Sequence, residues 1–185
     1  MFPRIPNVTS YIPNSYERQN IFEEARSGHV TCNIWAWVCL HGVGCLSHID
    51  GRFTAAKYLE ILEEEFLPSL RERDYPFPGR IVFMHDRCPV HTAHIVQRWF
   101  ADRPDLELLD WPSRGCDMNP IENIWANMVN TWEPQQERTT QQLRQHVDRV
   151  WGVLEGRPDL VRNHILSMHS RLQEVVEAQG GWSSY

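Results

Sequence analysis

Apolar and polar residues alternate from His29 to Leu40. Val30, Cys32, Ile34, Ala36, Val38 and Leu40 share one parity, and Thr31, Asn33, Trp35, Trp37 and Cys39 the other. A period of two predicts a strand. His41 to Gly44 supplies a turn, and Cys45 to Ile49 reads as the returning strand of a hairpin. After Thr54 the period becomes helical. Ala55, Tyr58, Leu59, Leu62, Phe66 and Leu67 form an apolar stripe, with Glu60, Glu63, Glu64 and Glu65 largely outside it. Pro68 is expected to kink or end this helix. Ile81 to Met84 is a short apolar run that predicts a buried strand. Pro89 suits the first turn of a helix carrying Ala93, Val96, Trp99 and Phe100 inward.

Leu106 to Leu109 reads as another strand, and Pro120 to about Trp132 as a helix. Past Glu133 the pattern is purely helical. One stripe is Leu143, Val147, Val150, Trp151 and Leu154; a second is Leu160, Ile165, Met168, Leu172, Val175 and Val176, with Pro158 at its start. Residues 1–28 are rich in turn formers (Pro3, Pro6, Asn7, Pro13, Asn14) and poor in periodicity. The chain therefore divides into an irregular lead-in over 1–28, an α/β unit with a mixed sheet over 29–133, and helices packed on it over 134–185.

Composition narrows the class. A chain of 185 residues with 42% hydrophobic and 23% charged residues is long and apolar enough for one core. No apolar run approaches the ~20 residues of a membrane span, so no membrane partner is expected. The first residues lack the basic and apolar regions of a signal peptide. The formal charge of -6 gives no global attraction to DNA, so any nucleic-acid contact needs a local basic patch. Five cysteines without a Cys-x-x-Cys pair fit reduced thiols.

Two strand ends carry acids into loops, where ligands of open α/β sheets gather. Asp86 follows the Ile81 strand, and Glu122 sits in the first turn of a later helix. A pair of hard carboxylates can hold Mg²⁺ or Mn²⁺, and two such ions can clamp the attacking and leaving oxygens of a phosphodiester. No Gly-rich phosphate loop and no Gly-x-Ser-x-Gly elbow occurs.

The two acidic segments resemble the second and third motifs of mariner-like DDE transposases. The first is matched at Asp86, Pro89, His91, Thr92 and Ala93. The second is matched at Trp111, Pro112, Asp117, Asn119, Pro120, Ile121, Glu122, Asn123 and Trp125. The hairpin bearing Trp35 and Trp37, followed by Asp50-Gly51 and Ala55 to Tyr58, is also similar. The resemblance implies a ribonuclease-H-like fold, with Asp86 and Glu122 as catalytic metal ligands for Mg²⁺ or Mn²⁺. It implies DNA as partner, with Arg87, His91, Arg114, Asn119 and Asn123 as contact candidates. It implies nuclear action in a eukaryote.

The family's third acid, an Asp on the first strand, has no counterpart: residues 1–49 hold no aspartate, and Glu17, Glu23 and Glu24 are their only acids. Asp50 matches a non-catalytic turn. The first strand and the helix-turn-helix region are expected to be missing, unless an upstream segment supplies the acid. The expected function is thus a transposase catalytic domain for DNA cleavage and strand transfer, inactive or degenerate. The alternative is a repurposed non-catalytic DNA-binding or interaction scaffold. A missing first strand would leave the tryptophan-bearing strand as an edge, which favours edge-to-edge homodimers.

Plainer roles stand beside these. Asp86 can cap the helix at Pro89. Asn119, Pro120 and Glu122 form a capping-box arrangement. Arg87 replaces the family's Asn, and a fixed cation there would compete with metal or contact phosphate. His85, His91 and His94 with Cys88 could suggest zinc, which needs three or four ligands in closed geometry. Trp125 and Trp132 read as core. Arg98, Arg103 and Arg114 read equally as phosphate contacts or as a solvated face.

Overall fold

The computed structural model describes residues 8–10, 30–73, 79–112, 118–133 and 139–177. The alternating segment forms β2 (Cys32–Cys39), which turns at Leu40 and His41 into antiparallel β3 (Gly42–Ile49). The returning strand starts three residues earlier than the turn residues suggest. Gly42 takes a φ of 141°, and Gly44 is placed in the strand where bulk is excluded. A Cβ on Gly44 would lie 1.8 Å from Trp37 Cε2. The register shifts between Ala36 and Val38. That bulge sets Trp37 across Gly44, with its indole N–H donating to Ser69 Oγ at 2.9 Å. The lead-in contains a strand that its composition did not signal. β1 (Val8–Ser10) pairs parallel with β2 from Val8–Cys32 to Ser10–Ile34. The remainder of the expected irregular stretch, residues 1–7 and 11–28, lies outside the described residues, as does His29.

Thr54 caps α1 (Ala55–Ile61) by accepting from the Lys57 N–H. The helix then widens into a π segment, Leu62–Phe66, before α2 (Leu67–Glu72). Pro68 therefore neither ends nor breaks the rod. Leu67 N–H reaches back to Leu62 O, and Pro68 falls in the first turn of the next α segment, where its missing N–H costs little. β4 (Ile81–Phe83) and β5 (Leu106–Leu108) pair in parallel, joined through α3 (His94–Ala101). Among the described residues they form a sheet separate from β1-β2-β3. The strands are mixed in direction, as expected, but lie in two pieces. β4 is not the buried strand its composition predicts, for Val82 is 59% exposed.

α4 (Pro120–Asn130), α5 (Thr140–Glu155) and α6 (Pro158–Glu177) follow. Thr139 and Gln142 close a capping box at the start of α5. Cys32, Ile34 and Ala36 on one face of β2 pack with Ile124, Trp125 and Met128 of α4, Leu143, Val147 and Trp151 of α5, and Val161 of α6. Trp37 on the opposite face packs with Tyr58, Ile61, Leu62, Phe66, Phe83, Val96, Trp99 and Phe100. This is a layered arrangement with helices on both sheet faces. α6 holds on lightly. Val161 and Arg171 are buried, whereas Leu166, Leu172 and Val176 of its apolar residues are exposed.

Candidate active site

Asp86 stands just beyond β4. Its Oδ1 accepts from the Cys88 N–H at 3.1 Å and lies 2.6 Å from His91 Nδ1. The turn is closed by Thr92, whose N–H and hydroxyl donate to Cys88 O at 2.9 and 3.0 Å. The regular helix begins only at His94. Pro89 thus sits in a turn, and Asp86 braces that turn instead of capping a helix. Burial pushes the Asp86 carboxyl up. The hydrogen bond and charge of His91, with the Cys88 N–H, outweigh this and leave it below its ordinary value.

Behind Asp86 lies a buried aromatic stack. His91 and His85 are parallel, 4.7 Å between centroids and 5° apart in plane. Tyr58 lies 4.4 Å from His91, and its hydroxyl is 2.9 Å from His85 Nδ1. Burial, then the neighbouring His91, drops His85 to about 3, so it is a neutral imidazole at physiological pH. Sequence reasoning placed Tyr58 in the apolar stripe and in the family-like segment Ala55 to Tyr58, without a role at the site. The available signal was that a buried tyrosine hydroxyl normally needs a partner.

Glu122 enters from α4. Asn119 caps the helix by accepting from the Ile121 N–H at 3.2 Å, and Pro120 takes the first helical position. The expected capping box is not closed: the Glu122 carboxylate makes no hydrogen bond among the described residues. It lines the same cleft as Asp86, His91 and Asn119. Burial, and then the Asp86 charge, push Glu122 up to about 7. The cleft thus joins one firmly ionised carboxylate and one whose ionisation is opposed by burial and then by the charge of the first. A hard divalent cation would relieve both the repulsion and the desolvation, so this donor set fits Mg²⁺ or Mn²⁺.

The other candidates divide. Arg87 is exposed and turned to Asp110, with Nη2 2.6 Å from Oδ1, and it does not brace Asp86. Asn119 spends its side-chain oxygen on the cap, Asn123 is half-buried on α4, and Arg114 and Asp117 lie outside the described residues. His94 is exposed, so the histidine trio does not converge. Asp86, Cys88 and His91 do place ligand atoms within 4.8 Å of one another. Burial holds the Cys88 thiol protonated, up to about 12. Arg103 is tied to Glu63 and lies over the Trp99 ring at 3.9 Å. Asp50 pairs with Arg144, in keeping with a turn role.

Comparison with known proteins identifies the family and the fold. The family described as DDE superfamily endonuclease matches residues 7–144, and the chain belongs to that family. Within it, the chain carries a mariner-like DDE transposase catalytic domain of ribonuclease-H-like fold. The transposase of transposable element Tcb2 from Caenorhabditis briggsae is 32% identical over 157 residues, covering 83% of this chain and 55% of that protein. The Mos1 transposase paired-end complex with left transposon end superposes with a TM-score of 0.73 at 18% identity, over 97% of this chain and 53% of that one. The catalytic domain of Mos1 mariner transposase gives 0.68 at 19% identity, over 82% and 75%. The same domain with raltegravir and magnesium gives 0.65 at 16%, over 82% and 76%. These last likenesses concern the fold. The chain spans about half the length of the curated relatives it matches.

Proposed function

We propose that this chain is a transposase-derived catalytic domain in which Asp86 and Glu122 are metal ligands. On its own it binds Mg²⁺ or Mn²⁺ weakly and performs negligible strand transfer. One observation carries the reading: two acids from different elements line one cleft, where burial and then the charge of Asp86 raise the pKa of Glu122. Ions held there would activate a nucleophile and stabilise the leaving oxygen of a phosphodiester. The residues do the rest. His91 orients Asp86 through Oδ1, and the cap at Asn119 fixes the first turn that carries Glu122. Weak binding follows from the donor count. Octahedral Mg²⁺ held by two protein carboxylates keeps most of its shell as water, and residues 1–49 hold no aspartate to add.

DNA as substrate and divalent-metal use are carried over from the relatives; action in the nucleus rests on the family resemblance alone. Mos1 transposase has been solved with transposon ends, and its catalytic domain with magnesium or manganese. Arg87 and Asn123 are then phosphate contacts beside the cleft, Arg87 after leaving Asp110. The test is nicking of supercoiled plasmid with Mn²⁺, alongside Asp86→Ala. Background nicking in both supports the reading; Asp86-dependent cleavage overturns the inactive assignment.

A second reading is a non-catalytic scaffold, favoured by the exposed Leu166, Leu172 and Val176 on α6. DNA affinity across salt separates the two. A steep slope marks retained phosphate contact; no DNA binding with a stable oligomer marks the scaffold.

A further inference from the structure

The His91 ring, which orients Asp86, has one polar anchor among the described residues: its Nδ1 lies 2.6 Å from Asp86 Oδ1. Its Nε2 is buried and has no hydrogen-bond partner among those residues. A histidine that must hold one direction is ordinarily fixed by a hydrogen bond at each ring nitrogen. Here neighbouring rings stand in for the second bond. His85 is stacked on His91 at 4.7 Å with planes 5° apart, and Tyr58 lies 4.4 Å away on α1.

Aromatic walls fix the plane of an imidazole but not which of its edges faces where. Phe83 and Phe100 meet His85 with planes at 90° and 86°, and such contacts are nearly the same for either flip of the ring. The hydrogen bond to Tyr58 decides between the flips. Tyr58 is fully buried, and its hydroxyl has no acceptor among the described residues other than His85 Nδ1, at 2.9 Å. A buried O–H without an acceptor is costly, so the hydroxyl donates. His85 then keeps Nδ1 bare and carries its proton on Nε2. An imidazole is polar, and in a close stack the direction of one ring biases that of the next.

We infer that Tyr58 is a positioning residue for the metal site: its hydroxyl sets the flip of His85, the stack passes that orientation to His91, and His91 aims the Asp86 carboxylate. The consequence, cation affinity, rests on the metal reading proposed above; the positioning itself is read without metal.

The test has two arms, both on the full chain at pH 7. In chelator, the chemical shifts of the imidazole nitrogens report the tautomers. The parent should carry the His85 proton on Nε2 and a proton on His91 Nδ1. Tyr58→Phe should give mixed tautomers at His85 and shift the His91 Nδ1 signal. Ile61→Val trims the same core and keeps the hydroxyl, so it should change neither. In the second arm, Mn²⁺ binding is followed by electron paramagnetic resonance, with Asp86→Ala as control. Loss of a ligand's direct hydrogen-bond partner costs about 10–100-fold in metal affinity, so Tyr58→Phe, acting through two rings, should cost about three- to tenfold. Ile61→Val should cost nothing. His85→Phe keeps a stacked ring without the acceptor and should match Tyr58→Phe in both arms, which decides the case if Tyr58→Phe does not fold. The double variant should lose no more than either single one, because both act through one chain of contacts. Four results overturn the inference: a His85 proton on Nδ1 in the parent, an unmoved His91 signal in Tyr58→Phe, unchanged Mn²⁺ affinity in that variant, or losses that multiply in the double variant. A parent without Asp86-dependent Mn²⁺ binding overturns the metal reading instead, and the chelator arm then decides the positioning alone.

Discussion

Glu122→Gln isolates the electrostatics of the cleft. The Glu122 carboxyl ordinarily titrates near 4.5 and is held at about 7 in the folded chain by burial and by the charge of Asp86. A group whose folded pKa is raised favours the folded state fully below its unfolded pKa. That contribution is lost as pH rises through the folded value, because ionisation then costs more in the folded chain. Between pH 4.5 and 7 the loss runs at about 1.4 kcal/mol per pH unit, about 3 kcal/mol in full at order-of-magnitude precision. Gln keeps the shape and removes the titration. In urea unfolding with chelator present, the stability of Glu122→Gln relative to the parent should therefore rise between pH 5 and pH 8 by an amount of that order. Mg²⁺ in the millimolar range at pH 8 should close part of the gap by stabilising the parent alone. Parallel stability curves for the two proteins would refute the reasoning, since Glu122 would then be no more desolvated than in the unfolded chain.

Other outcomes follow from particular contacts. Gly44→Ala places a methyl group inside the Trp37 ring and displaces the Trp37–Ser69 hydrogen bond. Overpacking of about 1–3 kcal/mol plus about 1 kcal/mol for the bond should lower the midpoint in thermal melts by roughly 5–15 °C. Tyr58→Phe removes the hydroxyl partner of half-buried His85 and should cost about 1–3 kcal/mol in urea titrations. Arg87→Ala breaks an exposed ion pair and should change stability by less than about 1 kcal/mol; a larger loss would mean that Arg87 braces the Asp86 turn after all.

The hairpin was legible because alternation is a property of the strand itself, and the two stripes after Glu133 declared α5 and α6 in the same way. What escaped were features set by contacts between elements. Val8–Ser10 is too short to show a period, and only its pairing with β2 makes it a strand. The bulge at Trp37 exists because Gly44 leaves room opposite, a coincidence across the turn. Pro89 resembled a helix start, but it lies in a turn to which Asp86 and Thr92 bond, and the helix begins at His94. At the site, the family resemblance named Asp86 and Glu122, and the fold brings both to one cleft. The spacing Asn119-x-x-Glu122 suggested that the carboxylate would be consumed in capping. Asn119 completes the cap through Ile121 instead and leaves the acid facing Asp86. Leu172 and Val176 fit an apolar stripe but are exposed, because periodicity specifies a face and not whether anything covers it.

The carbonyl of Gly44 has a mechanical consequence. It accepts from the Trp151 indole at 3.1 Å and from Arg73 Nη2 at 3.2 Å, and Arg73 in turn grips Glu155. The residue following α2, the tip of the hairpin and the end of α5 are thereby knotted at one oxygen atom. Helices that belong to opposite layers cannot fray independently around such a knot, so the segment after 139 should open together with the hairpin as one cooperative unit. Cutting the chain there would not release a tidy smaller domain. It would strip the wall from Cys32, Ile34 and Ala36 and unfasten α2 on the far side of the sheet at the same stroke.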